Sequence, residues 1–291
     1  MKKIALSLLV AASLFSCSKD DDPTNDNNLI TVAQYENVKI GGALTITAST
    51  EGAANELRIN APENLASKVN ATVVDGELYI TADASVSLED NVSIEIYPPS
   101  IGRIVLERDQ HAVYHGLLSE DLEIVTEAES QLELYGTVAD NVSARLEGAS
   151  YLILDSHLET IADSADYYVS NVELVDEKTL LLDGRYLIAG EEIVLFEVAD
   201  GEDFFRVYGD DINTYWQLRS VDYITQGSTE LEAIEAPSSN VNIKLEGSSQ
   251  ASVWAMDQLS GKGEGSSILY YFGDPSIDYR IEGGAQLIPV E

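Results

Sequence analysis

Asp109, His111 and His115 stand at odd positions of a stretch that reads as extended chain, so three side chains able to ligate a metal leave it on one face. Positions 111 and 115 of a strand, however, lie about 13 Å apart, too far to share one ion at bonds of ~2.1 Å unless a corner falls between them. These residues are expected on an exposed outer face, and neither a metal nor a cofactor is called for. Carboxylates are the other abundant chemical group, with 51 Asp and Glu against 16 Lys and Arg. A polysaccharide lyase or hydrolase would need paired carboxylates with a base or guanidinium gathered on one face. With so many acids any face shows pairs by chance, and among the bases only Arg103 and Arg108 are close in sequence. No nucleophile elbow, phosphate loop or His/Cys ligand spacing occurs. The chain is therefore expected not to be an enzyme, with a polysaccharide-active lyase or hydrolase as the alternative.

Rings offer a different chemistry. Tyr151, Tyr167-Tyr168, Trp254 and Tyr270-Tyr271-Phe272 could build a stacking surface for sugars or a protein partner, although alternation along a strand turns at least half of them inward.

The only cysteine is Cys17. Before it stand Met1-Lys2-Lys3 and the uncharged run from Ile4 to Phe15, a basic segment followed by an apolar one, as in a signal peptide over residues 1–16. Twelve residues rise only ~18 Å as a helix, well short of the ~30 Å hydrocarbon core, so a membrane span is not expected. Leu14-Phe15-Ser16-Cys17 resembles a bacterial lipobox, which implies lipidation of the Cys17 thiol and a membrane partner reached through that anchor. A lone thiol at the cleavage point of an exported chain is otherwise a liability in an oxidising compartment. Ser18-Lys19-Asp20-Asp21-Asp22 looks like the signal that sends lipoproteins of some Gram-negative cells to the outer face of the outer membrane. Residues 17–28 continue as a polar tether through Pro23-Thr24-Asn25-Asp26-Asn27-Asn28.

The formal charge is −35, and loss of Lys2 and Lys3 with the leader leaves 14 bases against 51 acids, or −37. Nucleic acid is excluded as a partner, because phosphate binding needs clustered Lys and Arg. Divalent cations could gather on such a surface, in which case a chelator would lower the melting temperature.

The elements that position these groups are strands. Val38-Lys39-Ile40, Leu78-Tyr79-Ile80, Val92-Ser93-Ile94-Glu95-Ile96 and Leu122-Glu123-Ile124 alternate with period two, and no long amphipathic helical pattern interrupts them. Glu147-Gly148-Ala149-Ser150, Glu246-Gly247-Ser248-Ser249, Glu264-Gly265-Ser266-Ser267 and Glu282-Gly283-Gly284-Ala285 are copies of one corner, the last three following at equal intervals. Gln226-Gly227-Ser228-Thr229, Glu127-Ala128-Glu129-Ser130, Glu107 and Asp163-Ser164-Ala165-Asp166 extend the ladder at similar spacing, and a second glycine keeps step at Gly116, Gly136 and Gly273. The repeat predicts an all-β right-handed parallel β-helix over residues 29–291, with turns of about 16–20 residues. Leu132, Leu152, Tyr168, Leu269 and Leu287, each at the same offset from a corner, are expected to stack as one core column. A divergent segment at about 171–216 fits either continuous turns or an inserted hairpin turning at Asp200-Gly201.

Tyr35-Glu36-Asn37-Val38-Lys39-Ile40, Val74-Asp75-Gly76-Glu77-Leu78-Tyr79-Ile80, Val92 to Pro98 leading to Ile101, and the Gly-Ser-Ser corners ending in Tyr270-Tyr271-Phe272-Gly273-Asp274-Pro275 resemble the auto-transporter adhesins with a head GIN domain. The likeness spans roughly residues 29–170 and 220–291. It implies a β-helix on the cell envelope and carries no catalytic residues across. Anchor, repeat and family likeness together predict a surface-exposed outer-membrane lipoprotein that acts as a non-catalytic, adhesin-like or scaffolding module toward a glycan or an envelope protein.

Overall fold

The computed structural model describes residues 28–42, 44–48, 55–87, 90, 92–97, 100–108, 110–161, 165–169, 172–176, 179–182, 185–188, 192–197, 203–208 and 212–290, with backbone alone for 28, 48, 159–212 and 214. The predicted leader, Cys17 and the tether, and Asp109, lie outside these residues. Among the described residues the fold is all-β apart from one α-helical turn, Glu63–Ala66. In Gln131–Tyr135, as in Asn37–Gly41 and Tyr151–Leu154, burial alternates residue by residue. That alternation is what a strand with one face in a core requires.

Most of the chain joins one mixed sheet of 19 strands. Its strands fall into two parallel rows. One runs from Glu77–Ala82 through Asn37–Gly41, Arg103–Glu107, Leu118–Thr126, Val138–Gly148 and Leu218–Gly227. It continues through the second halves of Glu230–Gly247 and Gln250–Gly263 to Ser276–Ile281. The other row runs from Ser93–Ile96 through Thr45–Ala48, His111–His115, Gln131–Tyr135 and Tyr151–Leu154. It passes on through the first halves of Glu230–Gly247 and Gln250–Gly263 to Ile268–Phe272 and Gln286–Pro289. Leu118 pairs with Val138 and Gln258 with Ser276, so neighbouring strands recur at the spacing of the corner motif.

Register turns that spacing into a core. Ile94, Ile46, Ala112, Leu132, Leu152, Leu231, Ala251, Leu269 and Leu287 are successive partners in the second row. All but Leu287 are buried, and Leu287 packs against the same cluster. Each buried leucine contributes about 1.5–3 kcal/mol by removing apolar surface from water. The expectation for Tyr168 is corrected here: Leu231 takes the place in the column above Leu152, and Ala165–Val169 pairs antiparallel with Asp203–Tyr208 instead.

The reason is an excursion. Val142 pairs directly with Val221, so the ladder closes over the whole segment between them. Beyond Tyr151–Leu154, which stays in the parallel row, the strands from His157 to Trp216 pair antiparallel. His157–Ile161, Ile212–Trp216, Arg185–Ile188, Thr179–Leu182 and Val172–Asp176 form a five-stranded sheet, and Ala165–Val169, Asp203–Tyr208 and Glu192–Glu197 a three-stranded one. Its neck is held by hydrogen bonds. Trp216 N donates to Ser156 O at 2.9 Å, Ser156 Oγ donates back to Trp216 O at 2.7 Å, and Trp216 Nε1 donates to Ala139 O at 2.9 Å.

Candidate binding surface

Two positions of the corner motif, the second and the fourth, have a direct physical account. Its second residue takes a left-handed backbone in every copy described: Arg108, Ala128, Gly148, Gly227, Gly247, Gly265 and Gly283, with φ between 62° and 107°. At Gly227 a Cβ would sit 2.4 Å from the carbonyl oxygen of Gly148 in the preceding copy, so glycine is required there by contact as well as by φ. In the five copies between those of Arg108 and Gly283 the fourth residue is small, polar and buried: Ser130, Ser150, Thr229, Ser249 and Ser267. Ser150 Oγ donates to Glu147 O at 2.5 Å and Ser249 Oγ to Glu246 O at 2.6 Å, closing each corner on its own first residue. The motif is thus structural, and it sets the strands that carry the rings.

At the other corner, where the second glycine recurs, rings collect. His115 and Tyr135 are register partners and stack with centroids 5.4 Å apart. His157 meets Tyr215 at 5.2 Å, Tyr215 meets Trp254 edge-on at 5.5 Å, and Trp254 meets Phe272 edge-on at 5.0 Å. Beside them lies an open depression of about 540 Å³ lined by His115, Tyr135 and His157 with Leu118, Val138 and Leu158. Leu118 is 45% exposed there, which leaves apolar surface next to ring faces. Tyr135 donates its hydroxyl to Glu133 Oε2 at 2.8 Å, which fixes the ring. That bond first, and then burial, pushes the Tyr135 phenol up to about 12. Burial alone would raise Glu133, but bonds from Tyr135, His111 and Gln131 outweigh it and hold this carboxyl below the usual range.

Of the rings singled out in the sequence, Trp254 and Phe272 join this corner. Tyr271 packs against the core and Tyr151 stands partly exposed, while Tyr167 and Tyr168 lie among the residues described by backbone alone. His115, Tyr135, His157 and Tyr215 were missed. The available signal was the residue before the second glycine, which is His115, Tyr135 and then Phe272.

The structure parts the two histidines considered as ligands. His111 Nε2 lies 2.7 Å from Glu133 Oε1, whereas His115 lies against Tyr135. Among the described residues no group of three His, Cys, Asp or Glu is placed to hold a metal ion. Arg103 and Arg108 are not paired either: Arg103 stands between Glu77 and Glu123 at 3.5 and 3.0 Å, and Arg108 occupies a corner. One carboxyl is perturbed in the direction of an acid. Burial pushes Asp155 upward against the lowering pull of the His157 N–H, which it accepts at 2.6 Å. Tyr215 beside it is raised by burial and by its bond to Glu235.

A second depression of about 320 Å³ lies along a polar ladder that includes Asp121, Asn141, Ser220 and Asp222. Its groups satisfy one another: Asn141 Nδ2 donates to Asp121 Oδ1 at 2.7 Å, and Ser220 Oγ donates to Asn141 Oδ1 at 2.9 Å. The ring corner is the better candidate, since its apolar surface is unused.

A family model described as "putative auto-transporter adhesin, head GIN domain" matches residues 34–167 and 211–275. The chain belongs to this family. The two matched stretches cover the parallel rows and the outermost strands of the antiparallel excursion, and the gap between them falls on the excursion's middle. Solved structures share the fold at low identity. A putative adhesin from Bacteroides fragilis is similar at 15% identity and a TM-score of 0.61, covering 90% of this chain and 95% of that one. A putative adhesin from Parabacteroides distasonis is similar at 15% identity and a TM-score of 0.53, over 91% and 98%. A protein from the same organism named a putative lipid binding protein is similar at 13% identity and a TM-score of 0.50, over 91% and 96%. No curated protein matches the chain in sequence.

Proposed function

We propose that this head GIN chain is a surface-exposed outer-membrane lipoprotein, anchored through lipid on Cys17, whose folded part is a non-catalytic, adhesin-like binding module. Its two parallel rows, in register at the spacing of the corner motif, support a right-handed parallel β-helix as the form of that module. The observation that carries the binding role is the ring corner: His115 stacked on Tyr135 and His157 tilted against Tyr215, beside an open, partly apolar depression. Such a surface suits the apolar face of a sugar ring or an aromatic anchor of an envelope protein. Screening the chain against glycans and envelope proteins tests this directly; a retained ligand whose affinity falls on Tyr135→Ala supports it, and a ligand indifferent to that change removes its basis. For the anchor, Cys17→Ala should release the protein from the membrane fraction, and unchanged partitioning would refute lipidation.

One observation favours a second reading, a polysaccharide-active enzyme. Asp155, its carboxyl raised by burial, feels the charge of Glu235 close by, as a general acid beside a second carboxylate does. Glycan cleavage abolished by Asp155→Asn would establish it; binding without turnover would dismiss it.

A further inference from the structure

The two ends of the ladder are finished differently. At one end, Val69–Val74 covers Glu77–Ala82 and Glu56–Asn60 covers Ser93–Ile96, both antiparallel, and the turn Glu63–Ala66 buries Ala66. At the other end, Ser276–Ile281 and Gln286–Pro289 each have a strand partner on one side only among the described residues. Ile277 and Ile281 continue inward columns, their register partners Leu259 and Gly263 being buried, yet they are 46% and 48% exposed. Tyr279 stands between them, packed on the core from below, with no partner for its hydroxyl among the described residues. An edge of this kind presents a row of unpaired N–H and C=O groups to any strand that can match it. Gln286–Pro289 is blunted by its proline. Ser276–Ile281 has no proline and no inward charge.

What can match it is written in the strand. Ile277-Asp278-Tyr279-Arg280-Ile281 has the same chemical order from either end, with opposite charges in mirrored places. We propose that Ser276–Ile281 pairs antiparallel with the same strand of a second copy, about a two-fold axis at Tyr279, making an end-to-end dimer. Ile277 then faces Ile281 of the second copy on the inner side, and Asp278 faces Arg280 of the second copy on the outer side, each contact occurring twice. A slip of one residue would set apolar against charged side chains, so the register is specified. Parallel in-register pairing would oppose Asp278 to Asp278, and is disfavoured by charge. The charge balance also calls for this partner. Arg280 lies beside Lys262 in the register within the monomer, and its Glu282 contact is shared with Lys262, so the second copy's Asp278 supplies an acid on the open side. An isologous pair consumes both edges and closes as a dimer, without growing into a filament.

Sedimentation velocity of the full chain, in detergent matched to solvent density, tests this across a concentration series. A monomer–dimer equilibrium is expected. Asp278→Arg and Arg280→Asp should each weaken it about ten-fold or more by opposing like charges, and the double exchange should restore it, with the folded core checked by circular dichroism. A chain monomeric at every concentration overturns the proposal. So does a dimer insensitive to the single reversals, a double exchange that fails to restore it, or association that continues beyond two copies.

Discussion

At Gly227 the repeat is held by one missing methyl group. The position combines φ of 107° with a carbonyl oxygen where a Cβ would go, so Gly227→Ala should cost about 2 kcal/mol or more by thermal or chemical denaturation. Gly76 provides the comparison. Its φ is 81° but nothing lies within 4 Å of a built Cβ, so Gly76→Ala should cost only the backbone term, about 1 kcal/mol. Equal losses at the two sites would mean that stacking contact is unimportant. A second residue works against the fold. Tyr223 is fully buried in the column above Ala144, and its hydroxyl has no partner among the described residues. Removing an unsatisfied buried polar group relieves a desolvation cost, so Tyr223→Phe should leave stability unchanged or raise it by about 1 kcal/mol. A clear drop in melting temperature would show that the hydroxyl is satisfied in solution.

Among the elements, what was legible in the sequence depended on whether a position admitted one residue type. Gly148, Gly247, Gly265 and Gly283 announced the corners because contact and φ together exclude most side chains. Arg108 and Ala128 occupy the same left-handed backbone without glycine, so the earlier corners were faint. Asp163-Ser164-Ala165-Asp166 imitated a corner at the right spacing, and placed Tyr168 in a column that belongs to Leu231. Period-two alternation could not prevent that error, since antiparallel strands such as Ala165–Val169 carry it as well as parallel ones do. The ring corner was half legible for a related reason. Trp254 and Phe272 stood out as aromatics, whereas His115, Tyr135, His157 and Tyr215 come together only through register and through the closing of the excursion's neck. That neck gives a test at this scale. Trp216→Phe keeps an aromatic ring but loses the bond to Ala139 O, and should cost about 1 kcal/mol while weakening ligand binding at the depression, where His157 rests on the adjoining buried Tyr215. Full binding with lowered stability would separate the neck from the surface.

For the whole molecule, charge and phenols set the pH range of the fold. Tyr135 and Tyr279 are pushed up to about 12, the first chiefly by its bond to Glu133 and the second by burial, and Tyr35, Tyr114 and Tyr223 are raised further by burial. A group whose folded pKa lies above its unfolded value lends stability that is complete below the unfolded value and is lost as pH rises through the folded one. Stability should therefore fall between about pH 10 and pH 12, with tyrosinate absorbance rising together with unfolding. Phenols that all titrate near pH 10 in the folded state would contradict the burial described. No helix among the described residues is long and apolar enough to cross a membrane. In the proposed function, an acidic scaffold presents a ring-lined corner that binds without catalysing. The most direct test is a titration of the full chain with the strongest ligand from a glycan and envelope-protein screen, run in parallel on Tyr135→Ala, His115→Ala and, as a control on the polar ladder, Asn141→Ala. Affinity should drop about ten-fold for the two ring variants and stay unchanged for the control, with the ligand recovered intact. Equal affinity across all four proteins, or a ligand recovered cleaved, would refute binding without catalysis at this corner.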